Sequence, residues 1–257
     1  MPRVYIILAF VVIRYSYVIY TQYLDPKVRR LKSAMSKLLN EYSTYYLNLN
    51  AKEKKHFEKR VLMFIALKKF YRFDKTEATD EMKILISAAA VQITFGFSDS
   101  YEYEIFRNIA ISDKGYVSSQ TQKVHQGEAN PGKSLIAFSW ERFMDGVKSP
   151  NHPVNLGLHE FAHALYLNNM KGHQNPHFCS TIGDWHATTQ KLMKEQTIRD
   201  FFRSYAFVDN MELFAVSVEY FFESPKAFRD RLPQLYNVMC RLLNQNPLAK
   251  NNGIVRK

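Results

Sequence analysis

The stretch Leu156-Gly157-Leu158-His159-Glu160-Phe161-Ala162-His163-Ala164-Leu165 sets two imidazoles four positions apart, with a carboxylate directly after the first. Residues i and i+4 of an α-helix share a face, so His159 and His163 can aim ring nitrogens at one metal ion while Glu160 stands beside it. A zinc ion held there would polarise a carbonyl and acidify a water. Glu160 would take that water's proton and pass it to a leaving amine. The chemistry this pattern points to is hydrolysis, of a peptide bond first and of another acyl centre as the alternative. Leu156, Leu158, Phe161, Ala162, Leu165 and Leu167 make the surrounding helix apolar, and an unpaired carboxylate would be costly to bury in it.

Catalytic zinc usually takes three protein ligands and keeps one position open, so a further donor is required. The segment from Asn210 to Phe222 offers Glu212 and Glu219, seven positions apart and hence on nearly one helical face. Glu212 is favoured because Ala215 leaves room for two helices to approach. Glu219 then reads either as a carboxylate orienting a ligated imidazole or as a buried structural acid. His56, His125, His152, His173, His177 and His186 lack a comparable pattern and read as surface or structural residues. Cys179 and Cys240 are too far apart in sequence for a thiolate metal motif, and two cysteines make no disulfide scaffold.

Elements that could position these residues follow from periodicity. Apolar residues at three- and four-residue steps predict helices over Asp25–Asn48, Ala51–Lys69 and Asp80–Thr94, the last with Ala88, Ala89 and Ala90 for close packing. From Tyr101 to Trp140 the texture changes to short apolar runs, Ile105–Ile111 and Leu135–Phe138, divided by Gly115, Gly127, Pro131 and Gly132, which predicts strands and turns. Helices resume over Glu141–Val147, Val154–Leu167, Asp184–Arg203, Asn210–Glu223 and Pro233–Asn244. The expectation is an α+β fold, a mainly helical zincin-like metallopeptidase domain with a small mixed sheet against the helices. Leu135–Phe138 is expected to line the cleft with a free edge, where a peptide substrate would add as a strand.

Taken together, these residues resemble the Mlc titration factor A family of bacterial zinc metallopeptidases. The resemblance is carried by Gly127-Glu128, Leu135 to Trp140, Gly146, Asn155 to His163, Tyr205-Ala206, Glu212 to Val216, Glu219 to Phe222 and Gln245-Asn246-Pro247. It implies one zinc ion per chain on His159, His163 and Glu212, catalysis by Glu160, and aminopeptidase-type action on short peptides. It also implies an alternative role, sequestering a transcriptional repressor as a protein partner. Tyr205, seven positions before Glu212, is expected to turn its phenol into the cleft and stabilise the oxyanion. After His163 the family continues Lys-Leu-Asp where this chain has Ala164-Leu165-Tyr166, a departure that points to a different substrate choice.

The domain organisation reads as a hydrophobic segment, 1–24, followed by a metallopeptidase domain, 25–257, with a helical part, 25–98, and a catalytic part, 99–257. No Gly/Ser-rich linker divides them. Residues 4–20 are apolar apart from Arg14 and Ser16, and Lys27, Arg29, Arg30 and Lys32 follow the run. The positive-inside bias therefore predicts a cytoplasmic body that this segment anchors to the inner membrane, unless the run is a buried first helix. Lys and Arg outnumber Asp and Glu by 35 to 24, but the excess is spread along helix faces and tails and matches no nucleic-acid module, so no direct nucleic-acid partner is expected.

Overall fold

Residues 26–97, 101–118, 122–149, 152–171 and 174–249 are described by the structure, a computed structural model. Helix α1 (Pro26–Tyr42) buries Leu31, Met35 and Leu39, the stripe its periodicity predicts. The expected helix to Asn48 breaks at Ser43, whose hydroxyl accepts from the Tyr46 amide at 3.1 Å and starts a separate turn, α2 (Thr44–Leu47). Helix α3 (Ala51–Leu67) opens on a reciprocal cap. The Asn50 side chain accepts from the Glu53 amide at 2.9 Å, while the Glu53 carboxylate accepts from the Asn50 amide at 3.0 Å. After β1 (Lys69–Arg72), which has no clear sequence signal, α4 (Asp80–Thr94) matches its predicted bounds.

Strands β2 (Asn108–Ser112), β3 (Tyr116–Val117), β4 (Val124–His125), β5 (Gly127–Asn130) and β6 (Leu135–Ser139) follow. The larger sheet has the order β1-β2-β6-β5, parallel except for the antiparallel β5–β6 pair, and β3 and β4 form a small hairpin of their own. This corrects the expected substrate strand. Leu135–Phe138 is paired on both sides, Ile136 with Ile109 of β2 and with Ala129 of β5, so it has no edge to offer. Its residues are too apolar to leave one exposed: Ile136, Ala137 and Phe138 are fully buried. The edge strand next to it is β5.

Among the described residues seven α-helices follow: α5 (Trp140–Lys148), α6 (Leu156–Lys171), α7 (Pro176–Leu192), α8 (Gln196–Phe201), α9 (Asn210–Glu223), α10 (Pro225–Arg231) and α11 (Pro233–Leu243). The single helix expected over Asp184–Arg203 is two, interrupted at Met193–Glu195. Mainly helical and carrying a small mixed sheet, the molecule is α+β.

Helix α6 is the centre of the packing. Phe161 meets Phe64 of α3, Phe138 of β6 and Tyr103 at ring-centroid distances of 5.7, 5.5 and 5.4 Å. Gly157 lets α4 and α5 close in, since a Cβ there would stand 2.6 Å from the Phe143 ring and 3.1 Å from the Ala89 methyl. The helix is buried on nearly every side, so it lacks a polar face.

The expected inner-membrane anchor is withdrawn. Among the described residues no helix is long and apolar enough to cross a membrane, and residues 4–20 lie outside them. A span needs about 20 predominantly apolar residues, and this run is broken by Arg14, a costly side chain at mid-bilayer.

Candidate metal centre

Two helices bring the donor groups together, and each is locked at its start. Asn155 caps α6: its side-chain oxygen accepts from the Leu158 amide at 3.1 Å. The same residue ties α6 to α9, its amide donating to Glu219 Oε2 and its side-chain nitrogen to Glu223 Oε1, both at 2.8 Å. Asp209 caps α9 by accepting from the Met211 and Glu212 amides, each at 2.8 Å. Glu212 thus sits in the first turn of a fixed helix.

Donor atoms of three residues converge from these helices. His159 Nε2 lies 3.0 Å from His163 Nε2 and 3.1 Å from Glu212 Oε2, and His163 Nε2 lies 3.5 Å from Glu212 Oε1. Zinc binds imidazole and carboxylate at roughly 2.0–2.1 Å, so two ligand atoms of a tetrahedral site stand about 3.3 Å apart. The observed separations bracket that value. Glu212 Oε2 is buried and accepts no hydrogen bond among the described residues despite its approach to His159, as a donor directed at an ion would be. By residue type, spacing and burial the cluster fits a zinc ion, and among the described residues His159, His163 and Glu212 form the group that could hold a metal.

Behind His159 stands a chain of partners. Its Nδ1–H donates to Glu219 Oε1 at 2.7 Å, which leaves Nε2 free to ligate. Arg203 donates to the same Glu219 oxygen at 2.5 Å and to the Pro153 carbonyl at 3.0 Å. Burial opposes a charge on His159, yet the Glu212 and Glu219 carboxylates outweigh it and raise its pKa to about 10. Burial also opposes ionisation of Glu212, but the two imidazoles prevail and hold its carboxyl well below the usual range.

Glu160 is buried beside this cluster in a slot whose wall is Gly127 of β5; a Cβ at Gly127 would overlap the Glu160 carboxylate. Burial raises the Glu160 pKa, with His159 and His163 partly countering it. Tyr205 lies on the rim, half exposed, and its hydroxyl donates to Glu212 Oε1 at 3.0 Å.

Every residue singled out as a ligand or catalyst is therefore gathered in one place, with Glu219 behind the first imidazole. His125, His177 and His186 lie elsewhere, on β4 and α7. Three contributors had been given no role at the site from the sequence. Arg203 and Asn155 act through contacts 16 and 64 residues away, for which local spacing carries no signal. Gly127 did carry one, because a glycine in a strand often marks the close approach of another group.

A profile of the glucose-regulated metallo-peptidase M90 family matches residues 22–243. The chain belongs to that family. The Mlc titration factor A of Yersinia enterocolitica is 30% identical over 145 residues, covering 49% of this chain and 52% of that protein. Its counterpart from Escherichia fergusonii is 29% identical over 139 residues, with 50% and 52% covered. The chain spans about half the length of the curated relatives it matches. The M90 assignment makes it a metallopeptidase-family protein, the class the histidine pair suggested.

Proposed function

We propose that this M90 chain is a zincin-like, zinc-dependent peptidase in which His159, His163 and Glu212 hold the ion, Glu160 moves the proton and Tyr205 stabilises the oxyanion. One observation carries the reading: two imidazoles and a carboxylate, the donor types zinc prefers, converge with their nearest atoms 3.0 to 3.5 Å apart, and the buried Glu160 carboxylate stands alongside. Zinc, when bound, supplies Lewis acidity to the scissile carbonyl and makes a water acidic enough to attack near neutral pH. Glu160 takes the water's proton and returns it to the leaving amine. Its raised pKa suits both halves of that task, since a base closer to the working pH can accept and give back. Tyr205, pushed up to about 12 by burial and by Glu212, keeps its proton, which it would turn from Glu212 toward the oxyanion.

The substrate lies along β5, whose outer edge has no ladder partner among the described residues and whose Gly127 touches Glu160. Strand addition there would satisfy the peptide's backbone without reading its side chains, which suits broad specificity. Aminopeptidase-type action comes from the resemblance alone. The relatives' printed name, a titration factor, keeps regulator binding as the alternative.

Metal analysis with a chelator-controlled assay tests the reading. Purified protein is expected to carry about one zinc per chain and to cleave amino-acid anilides or short peptides until the metal is stripped. Full activity without metal would refute it, whereas zinc without any hydrolysis would favour the binding role.

A further inference from the structure

A cavity of about 440 Å³ lies apart from the metal cluster, with none of His159, Glu160, His163 and Glu212 in its wall. Its size suits a small molecule, since ligand sites enclose roughly 300–1,000 Å³. The last turns of three helices line it: Glu41 and Tyr42 of α1, Val147 and Lys148 of α5, and Phe222 and Glu223 of α9. A helix presents the negative end of its dipole there, which favours a cation. The first turn of α6 opposes them, but Asn155 already caps it.

The side chains agree with the dipoles. Of the three charged residues in the wall, Glu41 and Glu223 are carboxylates and Lys148 alone is basic. Tyr42, Phe143 and Phe222 add aromatic rings, whose faces attract ammonium groups. Leu85 and Ala88 of α4 add apolar surface, which an inorganic cation would leave in contact with water. The chemistry that suits this wall is a primary ammonium carried on an apolar body.

One residue joins the wall to the metal cluster. Asn155 lines the cavity and donates its side-chain nitrogen to Glu223 Oε1, while its backbone amide donates to Glu219 Oε2, on the carboxylate that receives the His159 Nδ1–H. Gly146 of α5 closes on the same residue, since a Cβ there would stand 3.0 Å from the Asn155 Cα. We propose that the cavity is an effector site for a primary ammonium on an apolar body, whose occupancy is transmitted through Asn155 and Glu219 to His159. The ammonium pairs with Glu223, and the charge of Glu41 adds to the attraction. Pinning Glu223 orders Asn155, and with it Glu219, before an ion arrives, so occupancy and zinc favour each other by the same factor. That coupling rests on the metal-centre reading above; the amine site itself does not.

Calorimetry with phenethylamine tests this on the full chain, both stripped of metal and loaded with zinc, with phenethyl alcohol as the neutral control. Metal-free protein should bind about one amine per chain with a Kd of about 1 mM or lower. The alcohol should bind about tenfold more weakly, the order of one charge-assisted hydrogen bond. Glu223→Gln keeps an acceptor for Asn155 but loses the charge, and should cost about tenfold in amine affinity. Glu41→Gln, at an exposed position, should cost about threefold with the melting temperature unchanged, which keeps the site testable if the first variant folds poorly. Saturating amine should tighten zinc binding about fivefold, and both substitutions should reduce that gain. Absence of amine binding, equal binding of the alcohol, amine affinity indifferent to both substitutions, or zinc affinity indifferent to the amine each overturns the proposal. Charge-dependent amine binding by a protein that takes up no zinc supports the amine site and overturns the metal-centre reading, and with it the coupling.

Discussion

The two ends of α9 each send a glutamate to the same imidazole, and the two carboxylates meet different fates. Glu212 approaches His159 Nε2 with 15% of its side chain exposed to the cleft, while Glu219 meets Nδ1 with 1% exposed and Arg203 behind it. Both sit on one face of one helix. What would separate the proposed ligand from the residue that aims one is the third party: an arginine pairs with Glu219, whereas among the described residues two imidazoles and a phenol meet the Glu212 carboxylate. Identical residue types at helical spacing thus acquire distinct chemistry from the elements packed against them.

The comparison breaks most severely at the cleft end. Glu212→Ala should abolish stoichiometric zinc binding and hydrolysis together, since two histidines alone rarely retain a catalytic ion, and metal analysis after gel filtration reads this directly. At the buried end, Glu219→Gln should weaken zinc affinity about 10- to 100-fold, the usual cost of losing a partner that orients a ligated histidine. It should also destabilise the fold by about 3 kcal/mol, at the lower end for a broken buried pair because Arg203 retains some exposure. Equal zinc losses in the two variants would erase the distinction between ligand and aiming residue.

Gly127→Ala probes the same idea on the sheet side. The added methyl must push the Glu160 carboxylate away from its slot, and misplacement by about 1 Å can cost up to 100-fold in kcat. Zinc content should not change, since Glu160 is not among the proposed ligands. Tyr205→Phe is the mildest of these changes, with a kcat loss of about tenfold, because a half-exposed donor contributes less than the 100-fold or more of a buried one.

Acidity sharpens the contrast without any substitution. In metal-free protein the His159 pKa is raised from 6.5 to about 10, so its contribution to stability is fully present below pH 6.5 and is lost as the pH rises through about 10. Glu212 runs the other way: its lowered pKa contributes stability above its ordinary value of 4.5 and loses it on acidification. Zinc must displace the His159 proton, so the gain in melting temperature on adding zinc should grow from pH 6.5 toward pH 9. A gain that is flat across that range would contradict the proton displacement.

Much of this arrangement is legible in the chain itself. The imidazoles at i and i+4, the predicted bounds of α4 and α9, and the apolar setting of α6 follow from periodicity and residue type, because each is decided within a helix. The strand assignment at Leu135–Phe138 was sound, but its place in the sheet was not readable, since pairing depends on β2 and β5 rather than on the strand. Arg203 reaches Glu219 from a loop after α8, and nothing within either segment announces the meeting.

The most direct test of the central claim is the hydrolysis rate of the Glu160→Gln protein measured beside its zinc content. The amide keeps the shape of the carboxylate but cannot take a proton. The account predicts zinc near one per chain, as in the wild type, with kcat reduced by about 100-fold or more. Wild-type turnover by a zinc-loaded Glu160→Gln protein would contradict it.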